Sequence, residues 1–233
     1  MEVMIGIIGA MAEEVAKLKE MMEDVKVTRK ASREFYEGKL NGTEVVIVQG
    51  GVGKVNAACC TQTLIDTFPV SCVINTGIAG GLFPDINIGD VVLATDAVEH
   101  DMEASVFGYP PGQIPSMDTF SFPADAHLRQ VAKESCIKVN PEISVYEGRV
   151  VTGDQFISDK EKKKWLSDTF GGYCTEMEGA AIAHGAYLNQ VPYLIVRAIS
   201  DKADDSAQMD YPTFEKKAIE HSVRLIVEMA GRL

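Results

Sequence analysis

Apolar positions along this chain fall into short unbroken runs separated by stretches with helical spacing. Met4–Gly9 is a continuous apolar run ending in glycine, which predicts a buried strand. Over residues 12–22 the period changes and sets Val15, Leu18 and Met22 on one helical face. Residues 35–40 and 45–48 flank Asn41-Gly42, a hairpin signal of strand, tight turn and strand. A glycine-rich turn over 50–53 leads into a second helix over 54–68, with Ala57, Thr61, Leu64 and Ile65 inward. Residues 72–76 read as a buried strand broken by the glycine cluster at 77–81, and 90–97 as another. A helix over 124–137 is followed by a strand at Val145–Thr152. Ser158 and Glu161 have the spacing of a capping box that opens the next helix. Residues 178–188 form a helix of small residues suited to close packing, and 193–199 a last buried strand. Asp210 is placed to cap a terminal helix with Phe214, Ala218, Leu225 and Met229 on its apolar face. Strands alternating with helices over 233 residues predict one α/β domain spanning 1–233, with a mixed central sheet covered by helices on both faces.

Residues 100–123 break the pattern. They hold Phe107, Tyr109, Phe120 and Phe122 together with Pro110, Pro111, Pro115 and Pro123, and show no helical period. A long excursion of this kind inside a compact domain is either functional or a covered surface loop. The net charge of −12 repels phosphate backbones and anionic lipid, so no nucleic-acid or membrane partner is expected. The acidic start lacks the basic flank of a secretory leader, and no apolar run is long enough to span a bilayer. Five cysteines without a C-x-x-C pair read as reduced thiols of a cytoplasmic protein. The four histidines lack ligand spacing, so neither a metal nor another cofactor is expected.

Candidate chemistry lies at three places where carboxylates follow apolar runs: Glu13-Glu14, Glu176-Met177-Glu178 and Asp201. Ligands of open α/β sheets bind outside the carboxyl ends of the strands, so three such loops can converge on one site. Each also has an ordinary reading, as first-turn carboxylates of a helix or as a solvated acidic loop. Gly53-Lys54 imitates the end of a phosphate loop, but Val55 stands where a magnesium-holding hydroxyl is needed. Gly77–Gly81 is not a dinucleotide fingerprint; its glycines serve either tight turns or close approach of backbone to a flat ligand. Arg197 in the apolar run 193–199 needs a carboxylate partner, because an unpaired buried charge is costly.

Taken together, GIIGAMAEEV, GGVGKVNAA, NTGIAGGL, FGYPPGQIP, VTGDQFI, TEMEGAAIAH and VRAISDKADD occur in order over nearly the whole chain. The set resembles the 5′-methylthioadenosine/S-adenosylhomocysteine nucleosidases of the nucleoside phosphorylase superfamily. The resemblance implies a three-layer α/β/α sandwich with a mixed, partly barrel-like sheet, of the nucleoside phosphorylase/hydrolase kind, assembled as a homodimer. It implies hydrolysis of the N-glycosidic bond of a thioadenosine, releasing adenine and a 5-thioribose, in methionine salvage and removal of the methyl-cycle product. Glu14 then matches the water-activating base and Asp201 the group that protonates or hydrogen-bonds N7 of adenine. Met177, Glu178 and Arg197 match the ribose contacts. Ala79, Gly80, Phe156, Ile157, Ser200 and Asp201 match the adenine contacts. Met11, Val52, Phe107, Pro115, Met177 and Tyr211 match the alkylthio pocket, with Phe107 and Pro115 reaching in from a partner subunit.

The physics of the reaction agrees with these residue types. An oxocarbenium-like transition state is stabilised by nearby anions, and adenine leaves once a ring nitrogen is protonated. The two carboxyl groups should therefore titrate apart, with Asp201 raised and Glu14 ionised in the free site. A carboxylate about 5 Å from one phosphate charge costs roughly 3 kcal/mol at an effective dielectric of 20, which favours water over phosphate as nucleophile. Ile78 stands where the family frequently has serine, and Tyr211 where it commonly has phenylalanine. Ile78 removes a hydroxyl from ribose or water, while the Tyr211 hydroxyl reaches either a polar tail or solvent. A purine nucleoside phosphorylase, a futalosine hydrolase and a non-catalytic nucleoside-binding protein remain the alternatives.

Overall fold

Residues 4–204 and 206–233 are described by a computed structural model. The apolar runs become a sheet whose pairing closes on itself. Strands β1 (Met4–Gly9), β4 (Thr43–Gln49), β5 (Cys72–Gly81) and β10 (Tyr193–Asp201) run parallel. β6 (Val91–Glu99) pairs antiparallel with β10 and parallel with β8 (Val145–Thr152). β8 pairs parallel with β9 (Gly172–Glu176), which returns antiparallel to β5. The circuit β5–β9–β8–β6–β10 is therefore closed, because β10 also pairs β5. From it the sheet continues through β1 and β4 to β3 (Arg33–Leu40) and β2 (Glu23–Lys30), and the short β7 (Phe122–Pro123) adds to β6.

Helices cover both faces. α1 (Ala12–Glu20), α3 (Ala126–Val139) and α6 (Ala207–Ala230) bury Val15, Leu18, Leu128, Ala132, Leu225 and Met229 on one face. α2 (Lys54–Thr67) and α5 (Gly179–Leu188) bury Ala57, Leu64, Ala180 and Ala183 on the other. The small residues of α5 allow close approach: a Cβ on Gly185 would lie 3.2 Å from Thr61 Cγ2 of α2. α4 (Lys160–Phe170) packs Leu166 and Phe170 with Val98 and Val151. The expected three-layer α/β/α arrangement with a mixed sheet is present.

Three local expectations are corrected and one strand had none. β5 does not break at Gly77 but runs on to Gly81, because Gly77, Ile78 and Ala79 pair with Arg197, Ala198 and Ile199, and Gly80 with Thr175. β2 escapes a reading by apolar pattern because it is an edge strand with almost every residue exposed. α4 is capped by Asp159, which accepts from the Lys162 amide at 2.7 Å, and not by Ser158. α6 starts at Ala207 with Ser206 as its N-terminal flank, so Asp210 lies inside the first turn, where it accepts from Ser206 Oγ at 2.6 Å. The excursion after β6 carries one 3₁₀ turn, Ser105–Phe107, and is held by Gln113 Nε2 donating to the carbonyls of Ile114, Met117 and Thr119.

Candidate active site

The carboxyl ends of several strands face one cavity of about 260 Å³. From the end of β1 the chain turns into α1, and Glu14, in the first turn, points back toward β5. Its Oε2 accepts from the Met11 amide at 2.9 Å and its Oε1 from the Ile78 amide at 3.2 Å. Glu13 stays exposed and Glu14 is buried, so only one of the adjacent pair enters the site. Gly77 makes room for it: a Cβ there would lie 2.6 Å from Glu14 Oε1. Gly80 does the same for Asp201 at the end of β10, where a Cβ would lie 2.9 Å from Oδ1. Neither glycine has a positive φ, whereas Gly51 (φ 85°) and Gly53 (φ 92°) do. The first glycine cluster thus shapes a turn and the second clears space.

Asp201 is held by the Ala203 amide at 2.7 Å and by Ser200 Oγ at 2.9 Å. Glu178, at the N-terminus of α5, accepts from the Gly53 amide at 2.7 Å. Behind the cavity Arg197, 2% exposed, donates to Glu176 Oε2 and to Asn75 Oδ1, each at 2.5 Å. Glu176 also accepts from the Gly179 amide at 2.7 Å and from the Thr152 hydroxyl. Arg197 therefore has the carboxylate partner that its place in an apolar strand required.

Burial dominates the titration of the lining carboxylates. It raises Asp201 above the usual range against its two hydrogen bonds. Burial also raises Glu14, opposed by Arg197 and by the Met11, Ile78 and Ala10 amides. Asp201 is raised as expected, and Glu14, expected to stay ionised, is pushed in the same direction because both sit in the same desolvated cleft, with Arg197 and three amides favouring its anion. Burial, with the neighbouring Glu176 charge, lifts Glu178 to about 7. Burial works against the Arg197 charge, yet Glu176, Glu14 and Glu178 around it hold the guanidinium firmly protonated.

Nearly all the residues expected from the sequence meet here. Glu14, Asp201, Met177 and Glu178 line the cavity. So do Ala79, Gly80, Phe156, Ile157 and Ser200. Met11, Val52 and Tyr211 line it as well. Arg197 is not among the lining residues; it stands behind them, bonded to Glu176, with its charge acting on Glu14 and Glu178. Phe107 and Pro115 are not among the lining residues, and Phe107 is 80% exposed. The Tyr211 hydroxyl turns to Met11 Sδ at 3.4 Å and Glu215 Oε1 at 3.3 Å, while its ring meets Phe156 edge to face. Ile78 contributes its amide to Glu14 and its side chain to the wall. Gln155, Thr175 and Glu176 also line the cavity and had been given no role. Only Glu176 left a signal, as the acidic residue nearest in chain to Glu178.

The described lining contains four carboxylates and no lysine or arginine. Such a space suits a neutral or cationic organic molecule and disfavours a phosphate anion.

Comparison with known proteins agrees with this geometry. The family model described as "Phosphorylase superfamily" matches residues 4–230. A 5′-methylthioadenosine/S-adenosylhomocysteine nucleosidase of Chromohalobacter salexigens is 42% identical over 98% of this chain and 97% of its own length. The crystal structure of a Neisseria meningitidis nucleosidase of the same name, in complex with methylthio-immucillin-A, superposes with a TM-score of 0.94 at 37% identity, covering 99% of each chain. A futalosine hydrolase mutant of Helicobacter pylori superposes with a TM-score of 0.93 at 32% identity, covering 99% of this chain and 100% of its own. With 98% of its sequence matched and its fold superposed at this level, the chain belongs to the phosphorylase superfamily and, within it, to the 5′-methylthioadenosine/S-adenosylhomocysteine nucleosidases.

Proposed function

We propose that the protein is an N-glycosidic hydrolase that cleaves 5′-methylthioadenosine and S-adenosylhomocysteine to adenine and the corresponding 5-thioribose. The observation that carries this reading is the cavity lined by four carboxylates and, among the described residues, by no cation. Anions near the sugar stabilise an oxocarbenium-like transition state, and the missing cation leaves phosphate without an anchor. The comparison proteins support it: the relative from Chromohalobacter salexigens carries the name of this activity, and the Neisseria structure holds a methylthio-immucillin.

Asp201, raised by burial, carries a proton more readily than a free aspartate and is our donor to a purine ring nitrogen. Ser200 and the Ala203 amide fix its orientation, and the backbone of Ala79, Gly80 and Ile157 with the Phe156 ring forms the surface for the base. Glu14 is our base for the attacking water; the Met11 and Ile78 amides and the Arg197 charge favour its anion. Glu178 takes the ribose hydroxyls, with Met177 beside it and Arg197 holding the segment through Glu176. Met11, Val52, Met177 and Tyr211 take the alkylthio group.

We assign Phe107 and Pro115 to a second copy of the chain, as a homodimer in which each subunit closes its partner's site. The outward face of the turn before Pro115 supports this, with Val106 89% and Phe107 80% exposed. We place the protein in the cytoplasm on its five free thiols. No helix among the described residues is long and apolar enough to cross a membrane.

The test is adenine release from methylthioadenosine with and without phosphate, with futalosine as a parallel substrate because of the Helicobacter neighbour. Release that needs no phosphate is expected. Release only with phosphate gives a phosphorylase, and cleavage of futalosine alone gives the other hydrolase.

A further inference from the structure

We propose that Lys54 is a positioning residue for nucleoside binding: it closes a ring with Asp101 and Asp154 that holds the Gly53 amide on Glu178 and seats the Gln155–Ile157 segment at the cavity. The ring begins and ends on one residue. The Lys54 amide donates to Asp154 Oδ1 at 2.8 Å. The Asp154 amide donates to Asp101 Oδ2 at 3.0 Å. Asp101 Oδ1 receives Lys54 Nζ at 2.6 Å.

Three segments far apart in sequence are joined by this circuit: the glycine turn, the end of β6 and the end of β8. A second carboxylate, Glu99, receives Lys54 Nζ at 3.0 Å and is itself in contact with His184 Nδ1 at 3.4 Å. The Lys54 side chain is only 19% exposed, and two carboxylates offset the desolvation of its charge.

What the ring positions is the start of α2. The two amides that open this helix each find a carboxylate from outside it: Gly53 finds Glu178 and Lys54 finds Asp154. Gly53 permits both. Its φ of +92° turns successive amides toward the two acceptors, and a Cβ there would lie 3.1 Å from Asp154 Oδ1. The residue directly after Asp154 is Gln155, and Gln155, Phe156 and Ile157 line the cavity. Lys54 thus acts through two others, on the acceptor of the ribose and on the surface for the base. The Gly53-Lys54 pair, which fails as a phosphate loop, has a use of another kind.

This inference rests on the proposed function for the identity of the ligand. Glu178 faces Glu176, Arg197 and Glu14 besides the Gly53 amide, and that amide favours its charged form. The experiment uses the full chain with Lys54→Met and Lys54→Arg. With methylthioadenosine, Lys54→Met is expected to raise KM about tenfold, the loss of one charge-assisted hydrogen bond. Its kcat should stay within about threefold, because contacts made equally in ground and transition state are lost. The acid limb of its kcat/KM profile should move upward as Glu178 loses its donor. Lys54→Arg, which keeps a cation, should restore KM and limb.

A merely structural role would lower activity in proportion to the folded fraction and leave both KM and the limb in place; that result overturns the proposal. If Lys54→Met does not fold, Asp154→Ala removes the same helix cap while leaving Lys54 paired, and the same KM rise and limb shift are expected. Calorimetry with a 5′-alkylthio nucleoside whose base is carbon-linked reads the effect as a Kd, independent of hydrolysis. An unchanged Kd in both variants overturns the inference. A wild type that binds this probe and releases no adenine overturns the proposed function instead.

Discussion

Arg197 Nη2 lies 2.5 Å from Glu176 Oε2, and both side chains are almost wholly removed from water. The guanidinium is also bonded to Asn75, and Glu176 to the Gly179 amide and Thr152, which leaves Arg197 Nε as the one buried donor of the pair without a partner among the described residues. Removing one partner leaves the other charge buried and unpaired. Glu176→Gln is therefore expected to destabilise the protein by about 3–5 kcal/mol. Urea unfolding measures it, and a loss below about 1 kcal/mol, the range of a surface pair, contradicts the argument.

Asp201→Asn keeps the shape of the side chain and removes the proton it can deliver. We expect kcat for methylthioadenosine to fall about 10²–10⁴-fold, the range of a general acid. Glu14→Gln should fall by a similar factor, because it removes the proposed base for water. Both variants should still bind the carbon-linked nucleoside described above. A variant of either residue within about threefold of wild-type turnover removes it from the mechanism.

Much of this site was legible before any coordinates. Carboxylates that follow apolar runs at the ends of β1, β9 and β10 do converge: β1 and β10 run parallel with β5 and deliver their carboxyl ends to one side, and β9 joins them there by pairing antiparallel with Gly80 and Gly81 at the end of β5. Arg197 in an apolar run demanded a buried acid and has one. What stayed hidden is distance across the chain. Nothing local to Gly77 says that its missing side chain makes room for Glu14, 63 positions away. The cluster looked like a turn, although strands on both sides pair with it. β2 was missed because an exposed edge strand has no apolar face to announce it. The caps at Ser158 and Asp210 were off by one residue or one turn, since neighbouring polar residues compete for the same amides.

The pH dependence of stability follows from Glu178. Burial lifts it from 4.5 to about 7, so between these values the folded chain binds a proton that the unfolded chain has released. Its contribution is complete below about pH 4.5 and is lost as pH rises through about 7. Asp201 and Glu14, both raised by burial, act in the same direction. Glu178→Gln fixes the neutral form. It should match the wild type near pH 4.5 and exceed its stability at pH 8 by up to about 3 kcal/mol. Urea midpoints at the two pH values decide it, and a gap that shrinks as pH rises has the wrong sign.

Phe107 is exposed in the single chain and was assigned to the partner's alkylthio pocket. Light scattering should then give twice the chain mass. Phe107→Ala should raise KM for methylthioadenosine about tenfold, since deleting a buried aromatic from a pocket is felt mainly in binding. A monomeric mass, or an unchanged KM, removes Phe107 from the site.

The two uses of glycine in this chain can be separated by a pair of substitutions. A Cβ at Gly77 would lie 2.6 Å from Glu14 Oε1 and 3.4 Å from Arg197 Nη1, yet Gly77 has no positive φ. Its backbone accepts alanine, and the methyl collides only with the carboxylate. Glu14 must then leave the Ile78 and Met11 amides that hold it at 3.2 and 2.9 Å. Misplacement of a reacting group by about 1 Å costs about 10²-fold, so Gly77→Ala should lose that much kcat. Its stability should fall by about 1–3 kcal/mol, the usual range for an overpacked site. Gly42 is the opposite case: nothing lies within 4 Å of a Cβ there, but φ is +87°. Gly42→Ala should lose about 1 kcal/mol of stability through backbone strain and leave kcat at the wild-type value. If Gly77→Ala keeps wild-type turnover, the space it fills is not needed by the base, and Glu14 is not the group that activates water.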